Sequence, residues 1–202
     1  MTKKQKEYMQ LKRKIDVLCA GFGLVILAPL WIGIMIAIKL ESRGPIFFKQ
    51  KRIGIHKTYF EILKFRTMRI DTPKDVPTHL LENPEQYITK VGQFLRKTSL
   101  DELPQIINIL KGEMSIIGPR PALWNQDDLI KERDKYRAND ITPGLTGWAQ
   151  VNGRDELPIW KKAKLDGVYV KYFGLRMDLI CFVRTIFAVL KHDGVKEGGV
   201  KE

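Results

Sequence analysis

Residues 17–38 run for 22 positions without a charged side chain, and no other feature limits so sharply what this chain can fold into. At 1.5 Å per residue a straight helix of that length would measure about 33 Å, against a hydrocarbon core of about 30 Å. A soluble core helix is therefore not expected. Lys39-Leu40-Glu41 follows where a cleaved signal peptide would carry small residues, so the segment is expected to stay in the mature protein. Two features oppose a simple crossing. Pro29 cannot donate to the carbonyl of Val25, so a kink or break is expected there, although membrane helices do tolerate proline. Six of the 35 Lys and Arg precede the segment and the others follow it, with Lys39, Arg43, Lys49, Lys51 and Arg52 close behind, so both flanks favour the cytoplasmic side. A helix that dips in, bends at Pro29 and returns satisfies both flanks, and is placed slightly ahead of a spanning one.

The net charge of +12 calls for an anionic partner: nucleic acid, acidic lipid headgroups or a phosphorylated substrate. Charge alone does not choose among them. Cys19 and Cys181 lie in apolar runs and make no metal-ligand spacing with His56, His79 and His192, which argues against a disulfide framework and a zinc site.

Beyond the apolar segment, residues 45–48 and 59–68 read as short strands, with turn chemistry at Arg52-Ile53-Gly54. Alternation in the second puts Ile62, Lys64 and Arg66 on one face, either a pair of cations for a phosphate or a solvated strand face. Residues 71–84, with Pro73, Pro77 and Pro84, read as a loop. Ser99-Leu100-Asp101-Glu102-Leu103-Pro104-Gln105 then sets two adjacent carboxylates at a helix start. Ser-x-x-Glu before an apolar run is a capping box, with Ser99 as cap and Glu102 reaching back. That accounts for Glu102 and leaves Asp101 without a purpose. Ile106, Ile107, Ile109 and Leu110 give the helix an apolar face, and Lys111-Gly112 ends it.

In Gly118-Pro119-Arg120-Pro121 two prolines fix the backbone around one arginine, as a bidentate anion contact would require; a rigid turn with an incidental arginine is the plainer reading. Residues 123–137 suggest a polar helix with Leu129, Ile130 and Tyr136 inward. The glycines of residues 143–154 would let backbone N–H groups approach a phosphate, though the spacing is neither a dinucleotide fingerprint nor a P-loop. Trp148 there fits a base stack, a membrane interface or a core. Residues 157–172 form an amphipathic pattern through Trp160, Ala163, Val168 and Tyr172, and 177–190 a more apolar one too short to span, each suited to the core or to a membrane interface. Residues 192–202, rich in Gly, Lys and Glu, read as a flexible tail.

Four motifs taken in order, Lys64-Phe65-Arg66-Thr67-Met68, Ser99 to Gln105, Gly118 to Pro121 and Pro143 to Arg154, resemble the bacterial sugar transferase family of monotopic phosphoglycosyl transferases. The resemblance covers nearly the whole chain. It implies an α+β fold: a basic N-terminus and re-entrant membrane helix (1–40, broken near Pro29), a compact, mainly helical cytoplasmic catalytic domain with a small β element and interfacial amphipathic helices (41–191), and the tail (192–202). It implies transfer of a phosphosugar from a UDP-sugar to a polyprenol phosphate in the cytoplasmic leaflet of the bacterial inner membrane, with release of UMP. Asp101 maps to the family nucleophile and Glu102 to its partner. Lys64, Arg96, Arg120 and Arg154 map to positions that would bind substrate phosphates. Magnesium is implied, with Asp101, Glu102 and Asp178 as ligand candidates and Asp166 a weaker acidic one. The family's Ser-Pro helix break is Ala28-Pro29 here, which leaves the bend angle open.

Physical chemistry lends these roles support. A helix N-terminus should hold Asp101 ionised, and adjacent helical residues point about 100° apart, so the two carboxylates should not share a proton. A non-enzymatic basic module that binds anionic lipid or nucleic acid explains the charge and the apolar segment but not the ordered motifs, and no nucleic-acid partner is expected. A single-step transferase that uses the two acids only for magnesium is the rival within enzymes. No residue pattern encodes the sugar or the oligomeric state.

Overall fold

The computed structural model of the chain describes residues 2–72, 84–153 and 157–190. Helix α1 (Lys3–Ile26) opens with a capping box in which Thr2 Oγ1 accepts from Gln5 N–H at 3.3 Å and Gln5 Oε1 accepts from Thr2 N–H at 2.9 Å. Helix α2 (Ala28–Glu41) follows after the single residue Leu27, and the two axes meet at 63°. Pro29 lies in the first turn of α2, where its missing N–H costs least. The break thus falls two residues before the proline, and neither helix alone is long and apolar enough to cross a membrane.

Both helices pack on the body. Ala20 of α1 is buried with Phe60, Ile62, Ile106 and Ile109, while Trp31, Ile34 and Ile38 of α2 are buried with Phe65 and Leu95. Leu24 and Leu27 touch both clusters. The outward faces keep Leu18, Phe22, Val25, Ile32, Ile36 and Leu40 exposed.

Strands β1 (Phe47–Ile53) and β2 (Tyr59–Phe65) pair antiparallel from Phe47↔Phe65 to Ile53↔Tyr59. The first strand is displaced and longer than its sequence suggests: Arg52 and Ile53 remain in the ladder, and the chain turns over Gly54 and residues 55–57, with His56 and Lys57 at positive φ. The pattern at 59–68 ends as a strand at Phe65. Beyond it Arg66 turns away from Lys64 and is buried, donating to Ser42 O at 2.7 Å, Ser42 Oγ at 2.8 Å and Arg43 O at 3.0 Å. Arg66 therefore closes the C-terminal end of α2 and does not share a phosphate with Lys64. Glu41 adds a second tie, accepting from the N–H groups of Lys90 at 2.6 Å and Val91 at 3.0 Å and so capping α3 (Lys90–Lys97).

After a 3-10 turn over Leu100–Glu102, α4 (Gln105–Lys111) ends on Gly112 at φ 89°. A second sheet, absent from the sequence reading, pairs β3 (Ser115–Ile117) in parallel with β4 (Gly144–Thr146). Two of the three glycines of the 143–154 stretch serve that contact. A Cβ on Gly147 would lie 2.0 Å from Gly118 O, and one on Gly144 would lie 2.1 Å from Gly118 N. Close backbone approach, rather than a phosphate cradle, explains these two residues.

Helices α5 (Asp127–Asp134), α6 (Ile159–Lys171) and α7 (Leu175–Leu190) complete the body. The inward face of α6 is Ala163, Asp166 and Tyr169, whereas Trp160 and Tyr172 point outward. Ala163 and Val168 of the expected apolar face do pack inward, but Trp160 and Tyr172 do not, because a buried ion pair turns the face: Asp166 Oδ2 accepts from Arg133 of α5 at 2.8 Å and 2.7 Å. Tyr136, expected inward, lies over Gly167 with part of its ring exposed. On α7, Met177, Asp178 and Cys181 face in, while Leu179, Phe182, Val183, Ile186 and Phe187 are exposed. The tail expected at 192–202 lies outside the described residues. The glycine contact has a direct check: Gly147→Ala should destabilise the fold by about 1–3 kcal/mol through overpacking, read as a lower midpoint in chemical denaturation.

Candidate active site

Ser99 sits in the left-handed region at φ 57° and makes no side-chain cap, so the capping box expected at this position is not formed. The left-handed residue turns the chain sharply between α3 and the 3-10 turn and frees Glu102 for other partners. From Leu103 onward the backbone is helical into α4. Asn108, fully buried on α4, locks that helix to β2: its Oδ1 accepts from Leu63 N–H at 3.0 Å, and its Nδ2 donates to Glu61 O at 2.8 Å and Glu113 Oε2 at 2.7 Å. Lys64, the next residue of β2, is thereby set against the two acids.

Glu102 is the meeting point. Lys64 Nζ donates to its Oε1 at 2.7 Å, and Arg120 approaches Oε1 at 2.7 Å through Nη2 and Oε2 at 3.4 Å through Nη1. Asp101 is held more loosely, with Lys64 Nζ 3.6 Å from Oδ2. The prolines do restrain Arg120, as its sequence suggests: Pro119 O accepts from Gly144 N–H at 2.9 Å and Pro121 O from Arg52 Nη1 at 3.1 Å, tying both flanking residues down. Arg96, on the last turn of α3, donates from Nε to Thr67 Oγ1 at 2.9 Å. Gly92 allows that placement, because a Cβ there would meet Thr67 O at 2.0 Å.

The two carboxylates separate electrically. Burial pushes Asp101 up; Lys64 opposes this, the Glu102 charge adds to the rise, and Arg96 and Arg120 pull it down, leaving the carboxyl above its ordinary value. Burial also acts on Glu102, but the charges of Arg120 and Lys64 and their hydrogen bonds outweigh it and hold Glu102 well below the usual carboxylate range. Desolvation outweighs the favourable charges at that position, so Asp101 ionises less readily than an ordinary aspartate. The pair matches a familiar division of labour, one carboxylate fixed as an anion and its neighbour more basic.

The structure brings Asp101, Glu102, Lys64 and Arg120 together, with Arg96 near enough to act on Asp101 by charge. Arg154 lies outside the described residues. Asp178 is on α7 with both oxygens engaged, Oδ2 by Lys12 Nζ and Tyr8 Oη at 2.6 Å each and Oδ1 by Tyr169 Oη at 2.7 Å. Among the described residues no three His, Cys, Asp or Glu side chains form a metal-holding group. Thr67, read in sequence only as part of the Lys64 to Met68 motif, aims Arg96, and Asn108, which the sequence reading did not single out, aims Lys64. Asn108 stands in no pattern that differs from ordinary helix composition.

The family model described as bacterial sugar transferase matches residues 7–192. A protein of Bacillus subtilis (strain 168) called uncharacterized sugar transferase EpsL is 39% identical over 189 residues, covering 94% of this chain and 92% of its own. The UDP-glucose:undecaprenyl-phosphate glucose-1-phosphate transferase of Escherichia coli (strain K12) is 38% identical over 184 residues, covering 88% of this chain and 39% of its own. The UDP-N-acetylgalactosamine-undecaprenyl-phosphate N-acetylgalactosaminephosphotransferase of Aeromonas hydrophila is 35% identical over 200 residues, 94% of this chain and 46% of its own. This chain therefore spans less than half of the latter two proteins.

The two carboxylates should respond oppositely to neutralisation. Glu102→Gln leaves Lys64 and Arg120 short of a counter-charge and should lose about 1.5–3 kcal/mol of stability at neutral pH. That contribution is present above the unfolded glutamate pKa and is lost only as pH falls through the depressed folded value. Asp101→Asn removes a carboxyl whose folded pKa is raised, so it should stabilise the protein at neutral pH. Its advantage should disappear as pH falls through the raised pKa towards the ordinary 3.8. Chemical denaturation of the two variants across pH checks both signs.

Proposed function

Because this chain belongs to the bacterial sugar transferase family, we propose that it moves a phosphosugar from a UDP-sugar to a membrane polyprenol phosphate by way of Asp101. The enzyme is a phosphoglycosyl transferase, in keeping with relatives named as undecaprenyl-phosphate sugar phosphotransferases. The observation that carries the role of Asp101 is the unequal environment of the two acids. Glu102 is bound by two cations, while Asp101, buried and raised in pKa, makes among the described residues a single ion-pair approach, to Lys64 at 3.6 Å. A carboxylate of raised basicity beside fixed positive charge is suited to attack phosphorus.

In the first step an Asp101 carboxylate oxygen attacks the sugar-bearing phosphorus of the donor. The bond to the bridging oxygen breaks, UMP departs, and a phosphosugar–aspartyl anhydride remains. In the second a phosphate oxygen of polyprenol phosphate attacks the same phosphorus and expels Asp101, giving polyprenyl-diphosphate sugar. Lys64 and Arg120, oriented by Glu102, and Arg96 neutralise the equatorial oxygens in both steps. Magnesium suits this donor set in a limited way. Asp101 would hold the ion together with substrate phosphates, since magnesium is commonly bound by one or two carboxylates plus phosphate, and Glu102 would join it only by giving up Lys64 or Arg120. The ion would add neutralising charge to the diphosphate. Asp178, engaged by Lys12, Tyr8 and Tyr169, would not be part of that set.

The membrane reading rests on how the bent pair is tied. Near one end Lys12, Arg13 and Asp16 bond to α7, α4 and β3; at the other, Arg66 and Glu41 join α2 to β2 and α3. Both ends thus belong to one body, which supports a re-entrant course with the active site on the side of the basic flanks, the cytoplasmic face. Exposed apolar side chains on α1, α2 and α7 fit contact with lipid. A basic anchoring module would have no use for a buried aspartate beside a cation-saturated glutamate.

Asp101→Asn should abolish UMP release from donor and acceptor while leaving membrane association intact; full activity in that variant would sink the nucleophile role. Without acceptor, wild-type enzyme should accumulate a phosphosugar adduct on Asp101 detectable by mass spectrometry, and a single-step transferase would give none. Because Asp101 must be ionised to attack, kcat/KM for the donor should fall on the acid side with its limb above the ordinary aspartate value of 3.8. For topology, Lys4→Cys and Arg43→Cys in a Cys19→Ser background should label from the same side of sealed vesicles. Labelling from opposite sides would refute the re-entrant course.

A further inference from the structure

Asp178 is the hub of a buried polar cluster that joins the N-terminal helix to the strand leading into Arg120. Lys12 and Tyr8, one turn apart on α1, both donate to Asp178 Oδ2 at 2.6 Å. Tyr169 Oη of α6 stands 2.7 Å from Asp178 Oδ1 and 3.1 Å from the carbonyl oxygen of Ile117, so its proton is shared between α7 and β3. One turn further along α1, Asp16 accepts from Ser115 Oγ at 2.7 Å and from Ile116 N–H at 3.1 Å, and lies 3.9 Å from Lys12 Nζ. Lys12, Asp16 and Asp178 are all buried. Between them Arg13 points the other way and donates to the carbonyl oxygens of Ile109 and Leu110, the latter at 2.8 Å.

These contacts reach both halves of the active site. Three residues beyond Ile117 stands Arg120, which holds Glu102; the helix gripped by Arg13 at its C-terminal end carries Asp101 and Glu102 just ahead of its N-terminal end. Packing alone does not fix α1 here. A cavity of about 550 Å³ lies alongside it, lined by Met9, Arg13, Asp16, Met114, Ile141 and Phe173 among others. Buried ion pairs gain little stability over apolar contacts of the same shape. What they add is a single allowed seat, since a slip or rotation of α1 would strand a buried carboxylate without partners.

We propose that Lys12, Asp16, Tyr169 and Asp178 form a positioning unit through which the seat of the N-terminal helix sets the placement of Arg120 against Asp101 and Glu102. None of the four touches the reacting atoms; they act through β3. The inference rests on the transfer reaction proposed above for its activity readout, and on backbone protection for a readout independent of it.

The test uses the full-length chain in phospholipid nanodiscs. A Lys12→Met/Asp178→Leu double variant replaces the ion pair with apolar side chains but takes the acceptor from the Tyr8 and Tyr169 hydroxyls, so it should fold with a modestly lowered unfolding midpoint. It should nevertheless lose about tenfold in kcat for UMP release, with the donor KM changed less than about twofold, and the amides of Gly118, Arg120 and Ala122, the three that carry an N–H between residues 118 and 122, should exchange faster with deuterated solvent. Tyr169→Phe, which deletes one oxygen and keeps the ring in the core, should show the same direction in both readouts and serves if the double variant does not fold. Wild-type kcat together with unchanged exchange at 118–122 would overturn the proposal and leave the cluster as structural glue. Absence of UMP release by the wild-type chain would refute the transfer reaction, and in that case the exchange comparison decides the positioning role.

Discussion

The carboxylate of Glu102 is the contact on which the arrangement of this molecule turns. Lys64 reaches it from the hairpin and Arg120 from the exit of β3, while Glu102 itself sits on the turn that leads into α4. Three segments far apart in sequence are therefore tied through one side chain. Remove its charge and Lys64 and Arg120 lose the carboxylate they share, with Asp101 losing the frame that sets its distance from Lys64. Around this point the fold supplies backing at each approach: Asn108 pins α4 to β2, and backbone bonds at Pro119 and Pro121 flank Arg120.

The bent helix pair is held by the same kind of directed contact. Apolar packing of Ala20, Trp31, Ile34 and Ile38 gives it adhesion, but apolar faces slide. Arg66 on the carbonyls that end α2, Glu41 on the first N–H groups of α3, and Arg13 on the last carbonyls of α4 use helix ends as fixed points, because those groups lack partners within their own helices. An element with one exposed apolar face and one face packed on the body gains registration from such ties that a hydrophobic surface does not provide.

Much of this was legible in the sequence, and what was not has a common cause. The uncharged run, the break near Pro29, the hairpin and the short helix ended by Gly112 follow from local rules of length, donor loss and turn chemistry. The grouping of Asp101, Glu102, Lys64 and Arg120 followed from ordered motifs, since no local rule brings residue 64 to residue 120. The errors concern residues whose partners are remote. Ser99 with Glu102 has the spacing of a capping box, yet Lys64 and Arg120 are stronger partners for a glutamate than its own backbone, and the actual capping box forms at Thr2 and Gln5. Asp166 belongs to the buried face of α6 only because Arg133 meets it there. Lys12 looks like one more residue of a basic flank until Asp178 is seen beside it. Gly144 and Gly147 suggested a phosphate cradle because nothing local announces Gly118 as their neighbour.

The unequal treatment of two adjacent acids also explains how a buried, cation-rich site can be both stable and reactive. If Lys64 and Arg120 were shared evenly, both carboxylates would be strongly stabilised anions, and a strongly stabilised anion is a poor nucleophile. Placing the short contacts of both cations on Glu102 fixes that acid as an anion. The other is left desolvated, within the field of Lys64 and Arg96 yet without a close hydrogen bond to them, and its ionisation costs free energy that a bond to phosphorus would relieve. The structural cost falls on Asp101 and the structural benefit on Glu102, so in the transfer reaction proposed above the residue that costs the resting fold is the one that attacks phosphorus.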